Sequence, residues 1–151
     1  MPTHSEKHLF AYTPEQLFEL VADVGAYPQF LPWCQGAKVL NQTPEEMEAD
    51  LSIGFGFLTE TFTSKVFLLF PTRIDVRYTK GPFRHLETQW RFHPNARGCL
   101  VEFWIDFEFK HPLFRHMMEL VFEEAAKRMM TAFERRAREL YTPIPPEVKT
   151  F

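Results

Sequence analysis

Along this 151-residue chain the spacing of apolar positions changes twice, and the changes divide it into three parts. The last part, Pro112 to Tyr141, carries two apolar rows: Phe114, Met118, Val121, Ala125, Met129, Ala132, and beside them Phe122, Ala126, Met130, Phe133, Ala137, Tyr141. Rows at i, i+3, i+4 spacing lie on adjacent faces of one helix, so together they predict a wide apolar band. Roughly 30 residues at ~1.5 Å each give ~45 Å of helix, more than a domain of this size needs to close its core. Charged residues gather on the opposite face, where Glu123 with Lys127 and Glu134 with Arg138 have i, i+4 spacing. Pro112 suits a first helical turn, and Thr142-Pro-Ile-Pro-Pro ends the helix and begins a loose tail over 142–151.

The middle part alternates with period two. Met47, Ala49, Leu51, Ile53 and Phe55 form one inward set after the turn Asn41-Gln-Thr-Pro44; Phe62, Ser64, Val66 and Leu68 form the next, ended by Pro71. Ile74, Val76 and Tyr78 follow, then a Gly81-Pro82 turn, then Leu86, Thr88, Trp90 and Phe92. After Pro94-Asn-Ala-Arg-Gly98 the clearest strand places Val101, Phe103, Ile105, Phe107 and Phe109 on one face, against Glu102, Trp104, Asp106 and Glu108. Consecutive strands with short turns and one polar face describe an antiparallel meander rather than βαβ units.

The first part is mixed. Glu6 to Ala11 reads as an edge strand, and Thr13-Pro-Glu-Gln16 as a helix start with Thr13 as N-cap and Gln16 closing a capping box. Leu17, Phe18, Leu20 and Val21 supply that helix's buried face. In Tyr27-Pro-Gln-Phe-Leu-Pro-Trp-Cys34 two prolines forbid a long helix and the large apolar residues forbid a solvent loop, which leaves a compact turn or short helix packed as a lid. The whole order predicts an α+β domain over residues 1–141: a curved antiparallel sheet wrapped around a long C-terminal helix, the helix-grip arrangement. Such a sheet leaves a void against the helix, and a void lined by Phe, Met, Leu and Val is an apolar ligand site.

Composition narrows the function. Seventeen phenylalanines need a dense core or an apolar cavity. The net charge of -3 provides no basic field for DNA. Cys34 and Cys99, far apart and outside any CxxC pattern, read as reduced thiols of a cytoplasmic protein, with Cys34 a buried small residue. The N-terminus has no secretory or transit character and no run reaches the ~20 apolar residues of a membrane span, so any membrane contact is peripheral. His111 and His116 are off the i, i+4 spacing of a metal pair, and His4 and His8 read as exposed on one strand face, so no metal is expected. By strand parity the inward polar residues are Ser64, Tyr78 and Thr88, all neutral hydroxyls, with no inward acid or base. General acid–base catalysis needs a titratable group within reach, and this lumen offers only Tyr78.

Tyr27-Pro-Gln-Phe-Leu-Pro-Trp-Cys34, Glu60-Thr-Phe-Thr-Ser-Lys-Val66, Gly81-Pro-Phe83, Trp90-Arg-Phe92, Asp106-Phe-Glu-Phe109 and Met130-Thr-Ala-Phe-Glu-Arg-Arg-Ala137 carry a resemblance. With them the chain resembles, from about His4 to Tyr141, the coenzyme Q-binding proteins of the START and polyketide-cyclase superfamily. It departs in Phe67-Leu-Leu-Phe70, which is more apolar than that family's pattern and fits a membrane- or partner-facing strand. The resemblance implies a hydrophobic tunnel that binds ubiquinone or a related polyisoprenoid lipid without catalysis, in support of respiration and quinone biosynthesis, with no further cofactor. Leu31 and Trp33 then gate the entrance. Phe62, Val66, Trp90, Phe103, Phe107, Val121, Ala125 and Met129 line the tunnel, and Ser64, Tyr78 and Thr88 offer hydroxyls. Met117, Met118, Met129 and Met130 make a wall that adapts to a flexible tail. A bacterial branch described as a ribosome association toxin leaves a ribosome-binding regulator open, and a cyclase or aromatase is the third alternative.

Overall fold

The computed structural model describes residues 3–55 and 58–145. Strand β1 (Thr3–Phe10) leads to α1 (Pro14–Ala22), a 3-10 helix (Val24–Gln29), and six strands: β2 (Cys34–Gln42), β3 (Glu46–Phe55), β4 (Leu58–Leu69), β5 (Arg73–Lys80), β6 (Phe83–Asn95) and β7 (Gly98–Phe109). Helix α2 (Pro112–Leu140) closes the fold. The sheet order is β1-β7-β6-β5-β4-β3-β2, and every pairing is antiparallel. The expected meander and long terminal helix are both present, and β1 is the expected edge strand.

Local chemistry fixes the ends of the elements. Thr13 Oγ1 accepts the Gln16 N–H while Gln16 Oε1 accepts the Thr13 N–H, the reciprocal cap read from the sequence. His111 caps α2 through Nδ1, which accepts the Leu113 N–H at 3.1 Å. The β6–β7 turn is tighter than the proline implied: β6 runs on through Pro94, and only Ala96 and Arg97 lie between the paired Asn95 and Gly98. Gly98 has φ +140°, and a Cβ there would fall 2.1 Å from the Phe10 carbonyl oxygen, so both conformation and space demand glycine.

Register shifts at Cys34/Gly36, Val39/Asn41, Thr63/Ser64 and Phe83/His85 bend and twist the sheet. Its concave face receives α2 and α1. The C-terminal half of α2 joins the main core, where Phe133 meets Tyr27, Phe30 and Trp90 at 5.6, 5.3 and 5.3 Å between ring centroids. A second cluster gathers Ile53, Phe62, Phe83, Leu86, Phe107, Phe109 and Met118 around the other half of the helix.

Several expectations are corrected. Val121 is 44% exposed, as are Leu113 and Leu120 in large part, because the sheet is narrower than the apolar band at that end of α2. Within α2 the ion pairs are Glu124–Arg128, at the anticipated i, i+4 spacing, and Arg136–Glu139 at i, i+3, instead of Glu123–Lys127 and Glu134–Arg138. Strand β2 has only Cys34 buried, and the segment before it is anchored core instead of a lid: Tyr27 donates its hydroxyl proton to the Val21 carbonyl, and Leu31 is 3% exposed. The chain after α2 is held at its start, since the Ile144 N–H donates to the Ala11 carbonyl at 2.7 Å. The inward side chain expected at Phe55 and the tail beyond Pro145 lie outside the described residues.

Candidate apolar ligand site

Between the concave sheet and the N-terminal half of α2 lies a cavity of about 170 Å³. Strands β3 to β7 supply Leu51, Phe62, Phe83, Phe103, Phe107 and their neighbours; α2 supplies Met118, Phe122, Ala125, Ala126 and Met129; Trp33 closes one side. The wall exists because period two on five strands and period 3.6 on one helix aim apolar side chains at the same space. Its small helix residues, Ala125 and Ala126, keep that space open. Among the lining side chains only the Thr88 hydroxyl is polar apart from the Trp33 indole N–H. A cavity of this character stays dry and accepts apolar guests, as a ~150 Å³ engineered cavity accepts benzene.

Eight of the residues singled out in the sequence as ligand-lining meet here: Trp33, Phe62, Thr88, Phe103, Phe107, Met118, Ala125 and Met129. Ser64, Val66 and Trp90 line an adjoining, smaller void of about 40 Å³ nearer α1, with Val21, Val24 and Tyr27; Leu51 and Val76 border both spaces. There the buried Ser64 hydroxyl has no hydrogen-bond partner among the described residues. Three of the others are in neither space. Leu31 is sealed in the main core, Val121 faces outward, and Tyr78 turns to its own hairpin, where its hydroxyl oxygen accepts the Phe83 N–H at 3.2 Å. Of the four methionines expected as a wall, Met118 and Met129 line the cavity and Met117 and Met130 do not; Phe122, which the helix row contained without a signal to rank it, takes the place expected for Val121.

The expectation that no acid or base points inward is also corrected. In the β1–β7 register His4, Glu6 and His8 pair with Ile105, Phe103 and Val101, so all three share the concave face with cavity residues. Glu6 is 13% exposed and His4 16%. The outward row of β1 is Thr3, Ser5, Lys7 and Leu9, equally mixed, which is why alternation alone could not orient this strand.

Neither cysteine is poised as a nucleophile. Burial pushes the Cys99 thiol up to about 11 and raises that of Cys34, whose thiol lies 3.5 Å from the Gly36 carbonyl. Burial likewise raises the Tyr27 phenol far above its ordinary range. Among the described residues no three His, Cys, Asp or Glu side chains are grouped to hold a metal ion, and no helix is long and apolar enough to cross a membrane.

The sequence and fold match known proteins along most of their length. Residues 10–134 match the model of the family described as polyketide cyclase / dehydrase and lipid transport. The chain is 38% identical over 143 residues to the ribosome association toxin RatA of Escherichia coli, covering 94% of this chain and 90% of that protein. It is 35% identical over 143 residues to the mitochondrial coenzyme Q-binding protein COQ10 homolog B of Xenopus laevis, covering 91% of this chain and 59% of that one. A START superfamily protein from Mycobacterium smegmatis superimposes with a TM-score of 0.80 at 22% identity, covering 92% of this chain and 99% of the other. With a helix-grip fold and a family match over most of its length, the chain belongs to the polyketide cyclase / dehydrase and lipid transport family.

Proposed function

We propose that this protein binds ubiquinone, or a closely related polyisoprenoid lipid, between its sheet and α2 and acts as a carrier, not an enzyme. The observation that carries the reading is the apolar cavity closed by Phe107, Phe122, Ala125 and Met129. At about 170 Å³ it holds one ring or a short piece of chain. A whole polyisoprenoid is larger, so the bound tail must extend beyond this space or widen it. The exposed Leu113, Leu120 and Val121 on that helix fit a peripheral contact with a bilayer during transfer. Kinship with a protein named for coenzyme Q binding supports the ligand class. The cavity lining itself holds no titratable side chain, and the nearest inward acid and imidazole, Glu6 and His4, stand at its β1 edge, an arrangement that favours a carrier over a cyclase. A cytoplasmic location belongs to the same proposal.

Titration with a short-tailed ubiquinone while following tryptophan fluorescence tests this directly. Trp33 lines the cavity, so saturable quenching that is reduced in Trp33→Phe is expected. Quenching that rises linearly without saturation contradicts it.

A second reading, a regulator that contacts the ribosome, rests on kinship with RatA. It predicts co-sedimentation with ribosomal subunits that survives filling of the cavity.

A further inference from the structure

The polar row on the concave face of β1 is not explained by an apolar carrier. His4, Glu6 and His8 occupy alternate positions opposite Ile105, Phe103 and Val101, and Ile105 and Phe103 are themselves cavity wall. The His4 ring lies 5.6 Å from that of Phe122, the helix residue that forms the wall across from them. Where β1 meets α2, an imidazole thus lies against Phe122 with a carboxylate beside it where hydrocarbon would be expected, while His8, further along the strand, is 42% exposed.

Glu6 sits between the two rings. His4 Nε2 is 3.4 Å from Glu6 Oε1, and His8 Nε2 is 3.8 Å from Glu6 Oε2. Neither approach is a hydrogen bond: His4 Nε2 and Glu6 Oε2 are both buried atoms with no hydrogen-bond partner among the described residues. The imidazoles address different oxygens of the carboxylate, so the trio does not converge on one point as metal ligands do. Buried polar atoms ordinarily find partners, and an acceptor and a ring nitrogen left open beside an apolar cavity form half of a hydrogen-bonded site.

We propose that Glu6, with His4 and His8 beside it, is a head-group subsite that accepts a hydrogen bond from the hydroxyl of a phenol- or hydroquinol-type ring whose hydrocarbon lies in the cavity. This rests on the lipid-binding reading and sharpens it. A carboxylate can only accept, so the subsite favours the hydroxyl-bearing, reduced form of an aromatic head over its carbonyl or ether counterpart. His4 Nε2 is the neighbouring group to meet a second oxygen on the ring. The hydroxyl bond to a charged acceptor is of the stronger kind, sufficient for about a tenfold or greater preference.

Three probes of one shape separate these contributions: para-octylphenol, its methyl ether para-octylanisole, and octylbenzene, with binding followed by tryptophan fluorescence and calorimetry. Partition into an apolar cavity alone ranks the phenol last. The wild-type protein is expected to bind the phenol about tenfold or more tightly than the ether. Glu6→Met, of similar length and without an acceptor, should abolish that preference and leave octylbenzene binding unchanged, while Glu6→Gln keeps part of it. Equal affinity of the wild-type protein for phenol and ether overturns the subsite without recourse to any variant. So does an unchanged preference in a folded Glu6→Met protein. In the wild-type protein, absence of the hydroxyl preference with octylbenzene bound contradicts the subsite alone; failure of all three probes to bind contradicts the lipid-binding reading with it.

Discussion

The rings of Phe122 and Phe107 stack with centroids 4.6 Å apart and planes 29° apart, joining α2 to the centre of the sheet at the cavity wall. Phe107 also meets Phe83 and Phe109 edge-on, so the helix is tied through one ring to an aromatic cluster. Truncating Phe122 to alanine removes that tie and enlarges the cavity. A cost of about 2 kcal/mol is expected, below the ~3–5 kcal/mol of a fully enclosed ring because Phe122 is half-buried. Urea denaturation checks the loss, and octylbenzene should bind the variant more tightly than the parent.

The two faces of α2 separate a wall residue from a surface one. Ala125→Asp places a carboxylate in the cavity and should reduce retention of an apolar lipid to less than about a tenth, whereas Val121→Asp, on the exposed side, should leave it unchanged. Ala125→Phe fills the space with hydrocarbon and should also expel ligand, without introducing charge. Lipid recovered from each purified variant, with circular dichroism to establish folding, distinguishes the three.

The capping box of α1 positions the helix whose Phe18 packs against Phe92 and Phe70. Thr13→Ala leaves the Gln16 N–H without its acceptor, and a loss of about 1 kcal/mol is expected in chemical denaturation. Ligand binding should be unaffected, since Thr13 is remote from the cavity wall.

Alkaline pH should destabilise the fold through buried neutral acids. The Cys99 thiol is raised by burial from 9.0 to about 11, so the folded state holds its proton while the unfolded chain gives it up. Its contribution to stability is complete below pH ~9 and is lost as pH rises through about 11. Burial shifts the Tyr27 phenol in the same direction. Thermal melts from pH 8 to 11 should show Tm falling from about pH 9 upward, and Cys99→Val should make the initial fall shallower. Both thiols should react with a disulfide reagent only after unfolding.

How legible each element was in the sequence follows from how its residues are buried. The long helix and strands β3 to β7 could be read directly because apolar and polar positions keep one period along each, and the capping box because its residue types and spacing are specific. Strand β2 could not, since it has one buried residue and two register shifts break its alternation. β1 is polar on both faces, and only its register with β7 reveals that His4, Glu6 and His8 point inward. On α2 the sequence offered a band wider than the sheet covers, so Val121 was expected on the wall with Met118 although only Met118 faces the strands. Tyr78 had the right parity, yet its hydroxyl is engaged by the Phe83 N–H, a hairpin contact that parity does not encode.

The most direct test of the central claim is organic extraction and mass spectrometry of the protein purified from its native host without detergent. The account predicts a polyisoprenoid quinone or quinol at close to one molecule per chain, lost in Ala125→Asp and retained in Val121→Asp. A protein that emerges empty, or that carries only phospholipid, contradicts it.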